Sequence, residues 1–122
     1  MGMNGRFYPD EFSLTTSLVD VSSAGSAWVV CPYPGRIKKI YATIAGTIAT
    51  ADLVLTAEIG GVAVSGISIS IPYSGSAAGD TGSAVPTNGA GEVAAGGTIE
   101  IVSAHACTNT VVGEITIVME RI

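Results

Sequence analysis

Nitrogen and sulfur donors are scarce in this chain, which has one histidine, His105 in Ser103-Ala104-His105-Ala106-Cys107, and two cysteines, Cys31 and Cys107. A structural zinc site takes four such ligands, and a hydrolytic triad needs a histidine oriented by a second group and facing a nucleophile. These three residues assemble neither, and His105 reads as a turn residue. Hydrolysis of a glycosidic bond takes two carboxylates about 5–10 Å apart. Ten acids are present, and nothing in their spacing singles out a pair. The glycines near Gly75 and Gly96 lack the Gly-Lys-Ser/Thr ending and the strand-to-helix context of a phosphate cradle. The expectation is a protein that is not an enzyme and holds no cofactor and no metal.

Basic residues are few as well, five against ten acids. Arg36, Lys38 and Lys39 form the one cluster among five cations. On a regular strand Arg36 and Lys38 share one face and Lys39 takes the other, so they make no continuous basic stripe. They read as solvated charges guarding an exposed strand, with a small contact patch for an acidic partner as the functional alternative. A net charge of −5 with a pI near 4.5 argues against nucleic acid as a partner, because phosphate binding needs clustered Lys and Arg. Trp28 and the four tyrosines could stack on sugars. Aromatic residues are only 6% of the chain, however, and Trp28 is expected in the core.

At 122 residues the chain suits a single domain. Charged residues are 12% against 48% hydrophobic, with mean hydropathy +0.53, so part of the surface is expected to be covered by other subunits or a partner. The longest uncharged run, residues 59–79, is broken by Gly60, Gly61, Gly66, Pro72 and Gly75, which excludes a membrane-spanning helix. The opening MGMNGRFYPDEF has no apolar signal-peptide core, and Arg6 stands where a myristoylation motif wants Ser or Thr. Synthesis is therefore expected in a cytosol. Reduced thiols at Cys31 and Cys107 are favoured there over a bridge, although the sequence leaves a bridge open.

The elements that would position these residues are strands. Phe12, Leu14 and Leu18 alternate with Ser and Thr in residues 12–21, and a short apolar run, 27–31, surrounds Trp28 before Pro32-Tyr33-Pro34-Gly35 turns the chain. Ile40, Ala42 and Ile44 share a face of the strand 37–44, and 45–52 reads as a loop. Leu53, Leu55, Ala57 and Ile59 give the cleanest alternation, and Gly60-Gly61 is a hairpin turn. Val62 and Val64 pair back, and Gly66 shifts the phase so that Ile67, Ile69 and Ile71 continue the apolar face, the mark of a bulge. Residues 72–97 read as one long Gly/Ala/Ser-rich loop, and 98–103 and 110–121 as strands. The whole predicts an all-β fold, an antiparallel sandwich or jelly roll of about seven or eight strands over 12–122, preceded by an N-terminal arm, 1–11.

Residues 34–66, PGRIKKIYATIAGTIATADLVLTAEIGGVAVSG, followed by VAAGGTIEIVS at 93–103 and TNTVVGEITIVMER at 108–121, resemble the capsid decoration proteins of tailed bacteriophages, the cement or auxiliary head type. These are strand and turn patterns covering about two-thirds of the chain. The resemblance implies a sandwich or jelly-roll subunit, commonly a homotrimer, on the virion surface, with the major capsid protein as partner and a role in reinforcing the shell. Segment 74–91 has no counterpart in that pattern. With a capsid partner in view, Arg6, Phe7 and Tyr8 of the arm and Arg36, Lys38 and Lys39 are the candidate contacts. The alternative is a carbohydrate-binding or adhesive phage module, which would be favoured by Trp28, Tyr33 and Tyr73 exposed on one face. A hydrolase, less favoured, would require close carboxylates in a cleft.

Overall fold

The computed structural model describes residues 10–23 and 25–122, and all the regular structure among them is strand. In chain order these strands are β1 (Glu11–Leu18), β2 (Ser26–Val30), β3 (Gly35–Ile44), β4 (Leu53–Ile59), β5 (Val62–Ile71), β6 (Thr81–Ala84), β7 (Glu92–Val93), β8 (Thr98–Ser103) and β9 (Gly113–Arg121). They pair as one long antiparallel ribbon turned at Gly60-Gly61: β4 with β5, β3 with β6, β2 with β8, β1 with β9. Rolling the ribbon adds β9 to β3 and β8 to β4. The result is two sheets, a first in the order β1-β9-β3-β6 with β7 also on β3, and a second in the order β2-β8-β4-β5. That strand order is a jelly-roll sandwich of a single domain.

The core is aliphatic. Ile37, Ile40, Ala42 and Ile44 of β3 and Ile115, Ile117 and Met119 of β9 face Leu53, Leu55 and Ala57 of β4, Ile67, Ile69 and Ile71 of β5, and Ile99 and Ile101 of β8, all of them buried. β-branched side chains fill such facing pleats well and have restricted rotamers to lose. At Gly66 the backbone takes φ +90°, and the β4–β5 register slips between Thr56 and Glu58 opposite it, so the expected bulge forms.

Three expectations need correction. The segment 72–97 is not one loop, because it supplies β6 and β7, which makes nine strands. Thr81-Gly82-Ser83-Ala84 has no apolar alternation to announce it. It forms a strand because a bare backbone fits over β5: a Cβ on Gly82 would stand 2.9 Å from Ile69 Cγ2.

Lys39 does not oppose Lys38. Ile37 pairs with Met119 and Lys39 with Val118, leaving Lys38 as the extra residue of a bulge. Ile37 and Ile40 are both buried, so the two lysines between them must both turn outward; burying one would strand a charge in a dry core.

Trp28 is not in the core. It is 60% exposed, because Ala27 takes the inward position of β2 opposite Ile101 while Trp28 lies opposite Glu100.

Candidate interaction surface

The fold gathers the connections at two ends. Segments 19–23, 45–52, 72–80 and 104–112 meet at one end, tied by Val21 N to Val111 O at 2.8 Å, Ala45 N to Val112 O at 3.0 Å and Ile48 N to Ser76 Oγ at 3.0 Å. Segments 31–34, 60–61 and 85–97 lie at the other, with Cys31 N to Gly97 O at 2.8 Å and Ile122 N to Pro34 O at 3.3 Å. The described chain starts at this second end, where Asp10 O accepts from Arg121 N at 2.7 Å.

The thiols are divided between the ends. Cys31 closes β2 at the second end, whereas Cys107 sits at the first, its Sγ 3.7 Å from Val21 O. The five residues of β2, at about 3.3 Å each, separate them by far more than the 4.4–6.8 Å between the Cα atoms of a disulfide. Both are free and buried, and burial pushes each thiol pKa up, since a thiolate would be desolvated there. We expect a thiol reagent to find two equivalents in denaturant without reductant and to react slowly with the native protein. Absence of thiol in the denatured sample would overturn this.

His105 is exposed in the 104–112 connection with φ +47°, and its backbone N–H donates to Ser103 Oγ at 3.1 Å. Ser103 in turn donates to Val21 O at 2.6 Å, so the histidine belongs to a turn anchored on a buried serine. Cys107 points inward and does not face it. No cluster of three or more His, Cys, Asp or Glu able to hold a metal ion occurs among the described residues. No helix long and apolar enough to cross a membrane occurs among the described residues.

Arg36, Lys38 and Lys39 are brought together on the outer face of the first sheet, close to the second end. Arg36 spans two carboxylates, Nη2 to Glu92 at 3.3 Å and Nη1 to Glu120 at 3.4 Å. Lys38 pairs with Glu11, whose carboxylate raises the lysine pKa. Lys39 Nζ lies 4.8 Å from the centre of the Tyr41 ring. These exposed pairs add little stability individually, but they neutralise the cluster locally, so it is not a bare basic patch. Glu11, Lys38, Lys39, Tyr41, Val85 and Val118 line a shallow hollow of about 560 Å³ there. Arg6, Phe7 and Tyr8 lie outside the described residues.

The aromatic residues do not form one platform. Trp28, Tyr33 and Tyr73 are all exposed, yet Trp28 is on β2, one edge of the second sheet, and Tyr73 follows β5, the other edge. Three strand spacings of about 4.8 Å separate those edges. Tyr33 is occupied at the second end, edge-on to Phe12 at 5.5 Å and under Arg121 at 4.2 Å.

The fold also creates a constellation that the sequence does not announce. Trp28 lies opposite Glu100, and Glu100 lies opposite Glu58, in one row across β2, β8 and β4 on the outer face of the second sheet. Parity alone could have placed Trp28 outward once Ala27 was assigned inward. The meeting of Glu58 with Glu100 depends on the β4–β8 pairing, which no local pattern encodes.

No protein-family model matches this sequence, and no curated protein matches it either. Among solved structures the chain is similar to one described as the Cyanophage Pam1 capsid asymmetric unit, with TM-score 0.62 and 11% identity over 100% of this chain and 92% of that one. At that identity the likeness establishes a shared fold, the jelly-roll sandwich, over essentially the whole of both chains.

Proposed function

We propose that this protein is a structural component of a phage virion that binds the outside of the capsid and stabilises the shell. The observation that carries the reading is the likeness to a chain of a phage capsid asymmetric unit over 100% of this chain and 92% of that one. A low charge fraction and exposed apolar side chains such as Val19, Val62 and Val85 suit a subunit that spends its working life against other subunits. In this reading the chain is a homotrimer. A trimer contacting neighbouring capsid subunits engages several sites at once, so avidity supplies stability that one contact would not. Arg36, Lys38 and Lys39, together with Arg6, Phe7 and Tyr8 of the arm, are the proposed contacts with the major capsid protein.

Mixing the purified protein with shells that lack it, and separately with a panel of glycans, tests this. Saturable shell binding with a raised shell-disruption temperature is expected. Deleting residues 1–11 should weaken attachment, and light scattering should give three times the 12.2 kDa chain mass. Glycan binding without shell binding would move the protein to the adhesive class instead.

A further inference from the structure

Charge is partitioned between the two sheets. Every Lys and Arg among the described residues, namely Arg36, Lys38, Lys39 and Arg121, belongs to the first sheet, on β3 or at the end of β9. The strands of the second sheet carry two charges, Glu58 and Glu100, and these are directly opposed on adjacent antiparallel strands. Like charges at that separation destabilise a sheet. Neither forms an ion pair among the described residues, and the one side-chain hydrogen bond that Glu100 accepts comes from Ser26. Beside them, in the same row, stands Trp28. It is the only tryptophan of the chain, 60% exposed on a strand whose next outward residue, Val30, is 56% exposed.

We infer that the outer face of β2, β8 and β4 docks a basic protein segment, with an arginine or lysine of the partner lying across the Trp28 indole and its cation placed between Glu100 and Glu58. The chemistry is complementary at each point. An indole face attracts a cation and packs against an aliphatic stem, and a guanidinium can bridge two carboxylates while relieving their repulsion. A second copy of this chain is the poorer occupant, because the cations among its described residues are engaged: Arg36 with Glu92 and Glu120, Lys38 with Glu11, Lys39 over Tyr41 and Arg121 over Tyr33. A basic partner breaks none of these. The inference does not depend on which assembly the protein joins, and its test needs no capsid.

Because Trp28 is the sole tryptophan, its emission reports this face directly. The probe is a blocked hexapeptide carrying two arginines, with its citrulline counterpart as the neutral isostere, titrated into the full-length protein at low salt. A saturable change in Trp28 emission is expected, about tenfold weaker for the citrulline peptide. Glu58→Gln and Glu100→Gln should each weaken arginine-peptide binding by about fivefold or more and raise the melting temperature by about 1–3 °C through relief of the paired charge. Glu114→Gln removes the same net charge from the first sheet and should leave binding within about twofold of wild type. Equal binding of the two peptides, or an equal loss in Glu114→Gln and Glu58→Gln, would overturn the inference. So would emission that depends on protein concentration, which assigns the face to a second copy, or that changes on removing residues 1–9, which assigns it to the chain's own arm. Saturation by a neutral sugar would do the same.

Discussion

Gly66→Ala is expected to destabilise the protein by about 3 kcal/mol or more and to lower its melting temperature by on the order of 10 °C. Two effects add. Position 66 has φ +90°, a conformation that costs a residue with a Cβ about 1–2 kcal/mol. The methyl has no room either: it would stand 2.5 Å from Thr87 N, 2.8 Å from Thr87 Oγ1 and 3.0 Å from the Pro86 carbonyl carbon. Those are backbone and short side-chain atoms that cannot swing aside. Moving them separates β5 from the 85–97 segment and strains the bond from Thr87 N to Ser65 O, now 2.8 Å, and the Ser65–Thr87 hydroxyl contact at 3.1 Å. Gly61→Ala is the matched control. Its φ is +83° and nothing lies within 4 Å of its Cβ position, so it should show the conformational cost alone, about 1 kcal/mol. Equal losses in the two variants, measured by thermal and urea unfolding, would mean that the contact with Thr87 does not constrain the bulge.

Gly66 also shows what kind of feature is readable from one sequence. Val64 and Ile67 are both buried and three apart, which is impossible on an unbroken strand, so the bulge was legible from apolar spacing alone. The same spacing, Ile37 to Ile40, marks the bulge at Lys38. It was obscured because the intervening charges invited assignment by strict alternation. The β4 pattern and the Gly60-Gly61 turn were legible for the same local reason, since one face of β4 must be apolar and the turn residues accept positive φ. β6 and β7 were not, because Thr81–Ala84 and Glu92–Val93 are strands only by virtue of the β3 edge they pair with. Residue type misleads at Trp28: a large aromatic side chain suggests the core, yet the small Ala27 fills the inward site on β2. Arg36, Lys38 and Lys39 stand together because they are neighbours in the sequence of one strand. The Trp28–Glu100–Glu58 row was out of reach, because it exists only after three strands distant in the chain have been brought side by side.

Ile117→Ala should cost about 2–5 kcal/mol, the range for truncating a large aliphatic side chain at a site that cannot collapse. Ile117 is fully buried on β9, which lies between β1 and β3, and it stands in register with Leu14 on one side and Ile40 on the other. Ile40 is itself fully buried, and β3 is held on its far side by β6, so that side of the cavity has little freedom to close in. Val118→Ala, one residue along, faces outward over the hollow lined by Lys39 and Tyr41 and should cost well under about 1 kcal/mol. The contrast tests the register itself, because a slip of one residue would exchange the two faces of β9 and reverse the ranking. Urea unfolding of both variants measures it. The expected pattern is a lowered midpoint with an unchanged slope for Ile117→Ala and a near-wild-type curve for Val118→Ala. A larger loss from Val118→Ala would place Val118 in the core and Ile117 at the surface, contrary to the β3–β9 pairing on which the neutralised cluster of Arg36, Lys38 and Lys39 depends.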